Sequence, residues 1–295
     1  MIAGLFALYQ QRQAIYDWTR LRNYDPPPAV VQLASDTTMN DSARHLFYVY
    51  HPQLNNRDQF SQNCTNVGEQ TIVLGCYVSR TGIYLFDIDD PRLEGVEQVT
   101  AAHEMLHAAY ERLDTEERSR IDNLTQQTLN ALADQRIRDT IENYRKKDPS
   151  VVPNELHSII GTEVRSLPPE LEAYYQRYFT NRAQIVGFSE KYEGVLTARR
   201  QHAEALEAQI KALRAQIEQL EDTLTAERAD LQRDRAGVDT QAEVTEYNAR
   251  VGAYNAEIRH FNNLVAEHNN LVKEHEANAL EEQSLFKALD SRPTL

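Results

Sequence analysis

The sequence predicts an α+β chain, in which a small sheet grouped with helices precedes a long antiparallel helical hairpin. Three observations carry this. Thr71-Ile72-Val73-Leu74 and Ile83-Tyr84-Leu85-Phe86 are β-branched and aromatic runs on either side of a turn at Ser79-Arg80-Thr81-Gly82. Val99 to Leu113 keeps a helical apolar stripe without Pro or Gly and contains His103-Glu104-Met105-Leu106-His107. From about Glu190 apolar residues recur in alternating steps of four and three, the seam of a coiled coil.

Taken in order, Met1 to Tyr9 is apolar but shorter than the roughly 20 residues of a membrane span. It reads as an N-terminal helix or the stub of a membrane anchor, covering 1–25. Gln10 to Asn23 is helical, with Ile15, Trp18 and Leu21 on one side, and Asp25-Pro26-Pro27-Pro28 ends it. A short helix at Ala29–Ala34 follows. Leu46 to Tyr50 is read as a strand and Pro52 to Ser61 as a loop. After Leu113, Asp114 and Glu117 form a capping box for a helix to about Leu132. Ile137, Ile141 and Tyr144 mark another helix. Asn154 is read as the cap of a further one, which ends near Leu167 before Pro168-Pro169. Residues 26–189 form one domain on this reading.

Residues 190–290 form the hairpin. Its first arm carries Leu206, Ile210, Leu213, Ile217, Leu220, Leu224 and Leu231. Arg233 to Gly237 breaks the run. The second arm carries Val244, Tyr247, Val251, Tyr254, Ile258, Phe261, Val265, His268 and Val272. Asn248, Asn255, Asn262 and Asn269 repeat every seven residues along that arm and are read as setting register between the arms, the alternatives being a polar flank exposed to solvent or a ligand-contacting stripe.

The chain has 295 residues and a net charge of -14, which argues against nucleic acid or an anionic membrane surface as the main partner, since both demand a basic patch. Cys64 and Cys76, its two cysteines, flank a strand-like run. They are expected to form one local disulfide in an oxidising compartment, the alternative being two reduced core cysteines.

The chemistry centres on HEMLH. On a helix, His103 and His107 project from one face and can together bind one Zn²⁺, with Glu104 then able to act on the metal's water as general base, the alternative being two histidines on a solvated face with an incidental Glu. For a third ligand the apolar face of the later helix is informative. Leu156, Ile159, Ile160, Val164 and Leu167 share that face with Glu163, and a carboxylate there is costly unless paired or bound to a cation. Glu163 is therefore the expected third ligand. His157 is a candidate donor to the oxyanion, and Tyr144, Tyr174 and Tyr175 are alternatives for that part. Asp122, Asp134 and Asp139 are candidates to orient the histidines.

His103, Glu104 and His107, with a carboxylate on a later helix, resemble the zincin metallopeptidases, and most of all their gluzincin branch. EQTIVLGCY, DPRLEGVEQVTAAHEMLHAAYERL and ELHSIIGTEV also resemble bacterial extracytoplasmic proteins predicted to be metallopeptidases with a coiled-coil arm. The resemblance covers about Leu46 to Phe179 and implies a zincin-like fold that holds Zn²⁺ on His103, His107 and Glu163 and hydrolyses a peptide bond. Ile83 to Asp87 would be the edge strand that pairs with an extended substrate. The gluzincin string N-E-x-x-S-D is met only in part by Asn154 to Ile159. It would make Glu155 the ligand, whereas burial favours Glu163.

The expected function is thus a zinc-dependent peptidase acting on a peptide or protein substrate. It is placed extracytoplasmically, anchored to the membrane or associated with the cell envelope, with a coiled coil for a partner or self-association. The alternative is a non-catalytic zinc-binding interaction protein whose arm holds a partner or the cell envelope.

Overall fold

The computed structural model describes residues 2–64 and 73–292, with side chains from residue 12 onward. The described residues divide into two units, Met1–Val195 with Leu285–Leu295, and Leu196–Ser284. The boundary therefore falls inside a long helix, and the C-terminal segment groups with the first unit.

The first unit opens with α1 (Ile2–Leu21), α2 (Pro28–Asp36) and α3 (Asp41–Val49). The expected strand at Leu46–Tyr50 is helix instead. Asn40 Oδ1 accepts from Ala43 N–H at 3.1 Å, and Ala43, Leu46, Phe47 and Tyr50 bury one helical face. The expected loop from Pro52 contains β1 (Gln53–Asn55) and α4 (Arg57–Asn63), the latter entered through a capping box of Asn56 and Gln59.

A small sheet follows from β2 (Gly75–Val78) and β3 (Gly82–Phe86). Of the first expected strand, Thr71 and Ile72 lie outside the described residues, and pairing begins two residues beyond Val73. The order is β1-β3-β2, with β1 parallel and β2 antiparallel to β3. This corrects the expectation that Ile83–Asp87 is an edge: β3 is central and every one of its residues is buried. Cys64, at the end of α4, is joined to Cys76 in β2, as expected from their spacing.

The helical layer consists of α5 (Val96–Glu111), α6 (Thr115–Ala131), α7 (Gln135–Lys147), α8 (Val152–Glu163) and α9 (Pro169–Tyr175). Asp114 caps α6, its Oδ1 accepting from Glu117 N–H at 2.8 Å. Asn154 is not a cap, since α8 begins two residues earlier. The core is formed where α5, α8, α2, α3 and the sheet meet, around Met105, Leu106, Ile160, Tyr175 and Phe47.

Helices α5 and α8 approach closely at Gly161, where a Cβ would fall 2.6 Å from Leu106 Cδ1 and 2.7 Å from Tyr175 Cε1. The buried Arg182 closes the end of α8. Its guanidinium donates to Val164 O at 2.6 Å and Arg165 O at 2.9 Å, and pairs with Glu172 at 2.7 Å. These contacts hold the helix whose first turns carry the site. Leu285 and Leu289 are buried in this unit, and Ser291 Oγ donates to Val73 O at 2.6 Å, next to β2.

The second unit holds parts of α10 (Arg182–Asp234) and α11 (Gln241–Leu289), with a single turn of tighter helix at Arg235–Gly237 between them. Its arms run antiparallel. Arg199 pairs with Glu281 at 2.5 Å, His202 with Glu274 at 3.3 Å, and Arg250 with Asp234 at 2.7 Å. Leu206, Leu213, Leu224 and Leu231 are buried on the seam. Asn248, Asn255, Asn262 and Asn269 are all exposed, on the flank beside the seam, so they do not set register from within it. Asn278 is the buried asparagine, donating from Nδ2 to Arg199 O at 3.1 Å.

Candidate metal centre

Four residues apart on α5, His103 and His107 share a face, with ring centroids 4.6 Å apart and planes at 84°. The first turns of α8 bring Glu155 to them. His103 Nε2 lies 3.5 Å from Glu155 Oε2, and His107 Nε2 lies 3.7 Å from Glu155 Oε1. One donor atom from each of the three falls within 4.8 Å of the others. Glu155 Oε2 is buried without a hydrogen-bond partner. A buried, unsatisfied carboxylate oxygen facing two imidazole nitrogens fits a cation held between them.

Glu163, the expected ligand, is elsewhere. Its Oε2 lies 2.7 Å from Arg136 Nη1, and the same guanidinium reaches Glu193 at 3.4 Å. Eight residues along a helix is about 12 Å, so Glu155 and Glu163 cannot serve the same point. The burial argument was sound in demanding a counter-charge for Glu163, but that counter-charge is Arg136. The string match to Asn154-Glu155 located the acid that meets the histidines.

Asn154 and Ser158 also belong to this site. Asn154 Oδ1 lies 3.0 Å and Ser158 Oγ 3.2 Å from His107 Nδ1. With the proton on Nδ1, both oxygens accept from it, and the Nε2 lone pair is left facing Glu155. The expected orienting acids have other tasks: Asp122 accepts from Tyr110 Oη, Asp134 caps α7, and Asp139 accepts from Gln135 Nε2.

Glu104 is 5% exposed. Burial pushes its carboxyl up to about 7, with the charge of Glu155 adding to this and His107 and the Tyr77 N–H opposing it. That N–H comes from β2. Phe86 N–H donates to Leu74 O at 2.8 Å, while Ile83 N–H turns the other way, to Tyr50 O at 3.0 Å. Antiparallel alternation then directs the main-chain groups of Gly75 and Tyr77 away from β3, toward the side of β2 that no described strand pairs. At Gly75 the strand touches α5. A Cβ there would fall 2.8 Å from both Cγ and Oε1 of Glu104 and 2.5 Å from Thr100 Cγ2.

Tyr144, on α7, completes the group. Burial raises its phenol, and so do the charges of Glu155 and Glu104 and a hydrogen bond to Glu155. For Glu155 burial acts upward, yet the nearby His103 and His107 imidazoles and the Tyr144 hydroxyl hold it below the ordinary carboxylate range.

His157 does not face this site. Its side chain is fully buried, Nε2 lies 2.9 Å from Tyr174 Oη, and its ring packs among Tyr110, Tyr174 and Tyr175. Burial lowers its pKa to about 3, so it is a neutral core histidine. Tyr174 and Tyr175 are core residues too. Of the oxyanion candidates named from sequence, Tyr144 is the one that the structure brings to Glu155. Asn154 and Ser158, at helical i, i+4 spacing in the partial N-E-x-x-S string, were the legible signal for the residues behind His107.

Comparison with protein-family models, with curated proteins and with solved structures finds no match to this chain.

Proposed function

We propose that this protein is a zinc-dependent peptidase. The single observation that carries the reading is the convergence of His103, His107 and Glu155 beside the buried Glu104. Two imidazoles and one carboxylate are the donor set that Zn²⁺ takes in catalytic sites, with a position left open. His103, His107 and Glu155 would hold the ion, and Asn154 and Ser158 would keep the His107 ring in its tautomer. When bound, Zn²⁺ supplies a Lewis acid that polarises the scissile carbonyl and acidifies a water.

The remaining work falls to the chain itself. Glu104, with its carboxyl near neutrality, accepts a proton from the attacking water and passes it to the leaving amine. The Tyr144 hydroxyl donates to the carbonyl oxygen as negative charge develops there. The outward C=O and N–H groups of Gly75 and the C=O of Tyr77 pair with an extended peptide laid along β2. The Cys64–Cys76 disulfide supports placement outside the cytoplasm.

The test is metal analysis of the purified full chain, followed by hydrolysis of a broad peptide library with and without chelator. One zinc per chain and chelator-sensitive cleavage are expected. Glu104→Gln should keep the zinc and lower turnover by about 10²–10⁴-fold. Full zinc loading with no cleavage of any peptide would overturn the peptidase reading in favour of a zinc-binding interaction protein.

A further inference from the structure

Trp18 is the one tryptophan of the chain, and it is 61% exposed, as is Ile15. Both lie on the outer face of α1 with the exposed Arg12, and the exposed Arg22 continues that face in the turn just past the helix, its N–H donating to Trp18 O at 3.0 Å. At helical spacing these four positions span about 120° of the circumference. The Arg22 guanidinium lies 5.3 Å from the centroid of the Trp18 ring. The opposite face is fastened to the first unit. Tyr16 Oη donates to Arg80 O at 3.0 Å, and Arg20 donates to Val49 O at 3.0 Å and Thr81 O at 2.8 Å. Asp17, the only acid of the helix, is spent inward on both terminal nitrogens of Arg112, at 2.8 and 2.9 Å.

The outward face is therefore cationic and apolar on a chain whose net charge is -14. Toward the N-terminus the same helix continues through IAGLFALY, a run without a charged group. An exposed tryptophan with a neighbouring arginine, next to an uncharged apolar run, suits the headgroup layer of a bilayer. There the indole sits between apolar and wet surroundings, and guanidinium groups meet phosphate. Repulsion from the acidic remainder is screened beyond about 10 Å in ordinary salt. Among the described residues no helix is long and apolar enough to cross a membrane. We propose that this face docks on an anionic phospholipid bilayer, with Trp18 and Ile15 entering the headgroup layer and Arg12 and Arg22 pairing with lipid phosphates.

Because Trp18 is unique, its fluorescence reports the event directly. The full chain is titrated with vesicles of phosphatidylcholine alone and of phosphatidylcholine with phosphatidylglycerol. A blue shift and protection from an aqueous quencher are expected with the mixed vesicles, both weakened by added salt. The double substitution Arg12→Gln and Arg22→Gln should weaken vesicle binding by about 30-fold. Ile15→Ser should weaken it as well, whereas Val31→Ser, at an exposed apolar site on α2, should leave it unchanged. Co-sedimentation measures the same binding for Trp18→Ala, which should be lost from the vesicle pellet. An unchanged spectrum with both vesicle types would overturn the proposal. So would equal binding to neutral vesicles, or a double-arginine variant that binds like the parent. A shift that grows with protein concentration in the absence of lipid would assign the face to a second copy of the chain instead.

Discussion

Adding one methyl group at Gly75 should disable the proposed peptidase site while leaving its metal content unchanged. The Cβ of Gly75→Ala would lie 2.5 Å from Thr100 Cγ2 and 2.8 Å from Glu104 Cγ and Oε1. Carbon atoms rest at about 3.5–4.0 Å, so either β2 or the Glu104 side chain must move by about 1 Å. Overpacking of this kind costs about 1–3 kcal/mol of stability. A 1 Å misplacement at a reacting centre costs about 10²-fold in rate. The proposed metal ligands lie on α5 and α8 and are untouched, so metal content should match the parent while kcat/KM falls by about 10²-fold. A companion variant separates the two contacts. Thr100→Ser removes Cγ2 but retains the hydroxyl that donates to Val96 O at 2.8 Å. Combined with Gly75→Ala, it should recover part of the lost stability, read by thermal melting, and none of the lost turnover. The reasoning fails if Gly75→Ala melts and turns over like the parent. It also fails if Thr100→Ser restores activity, because the contact with Glu104 would then not be the cause.

Three further outcomes are expected. Glu155→Gln should lower zinc affinity, measured by competition with a chromogenic chelator, and Glu163→Gln should not, since Glu163 is paired with Arg136; the reverse result would return Glu163 to the metal. Asn154→Ala should weaken zinc binding by about 10–100-fold through loss of the bond to His107 Nδ1, and an unchanged affinity would remove Asn154 from the site. Tyr144→Phe should retain zinc and lower kcat by about 10²–10³-fold, the scale of one lost oxyanion donor. A parent-like kcat would leave Tyr144 as a packing residue with no part in the chemistry.

Much of the arrangement can be read locally. His103 and His107 share a face because helical geometry alone places residues four apart together, and nothing distant is needed. The Asp114 cap, the turn before β3, the antiparallel arms and the Cys64–Cys76 pair are equally local: each depends on residues near in sequence or on a repeating period. The run Leu46–Tyr50 shows where local reading is ambiguous. A short apolar run fits a strand or a buried helix, and the Asn40 cap decides it.

What remained was decided by tertiary packing, because it turns on which charges and edges meet across distant segments. Burial showed that Glu163 needed a counter-charge but could not say that Arg136, on another helix, supplies it. Strand order made β2 the edge and β3 the centre, since β1 pairs in parallel from a segment that looked like loop. His157 lies on the same helix as Glu155, yet the packing of Tyr110, Tyr174 and Tyr175 encloses it. Sequence alone determined the chemistry available: two imidazoles, a base and acids on a later helix. The tertiary structure decided which acid meets them, because a buried carboxylate is stabilised by whichever cation the fold brings within reach, whether guanidinium or metal.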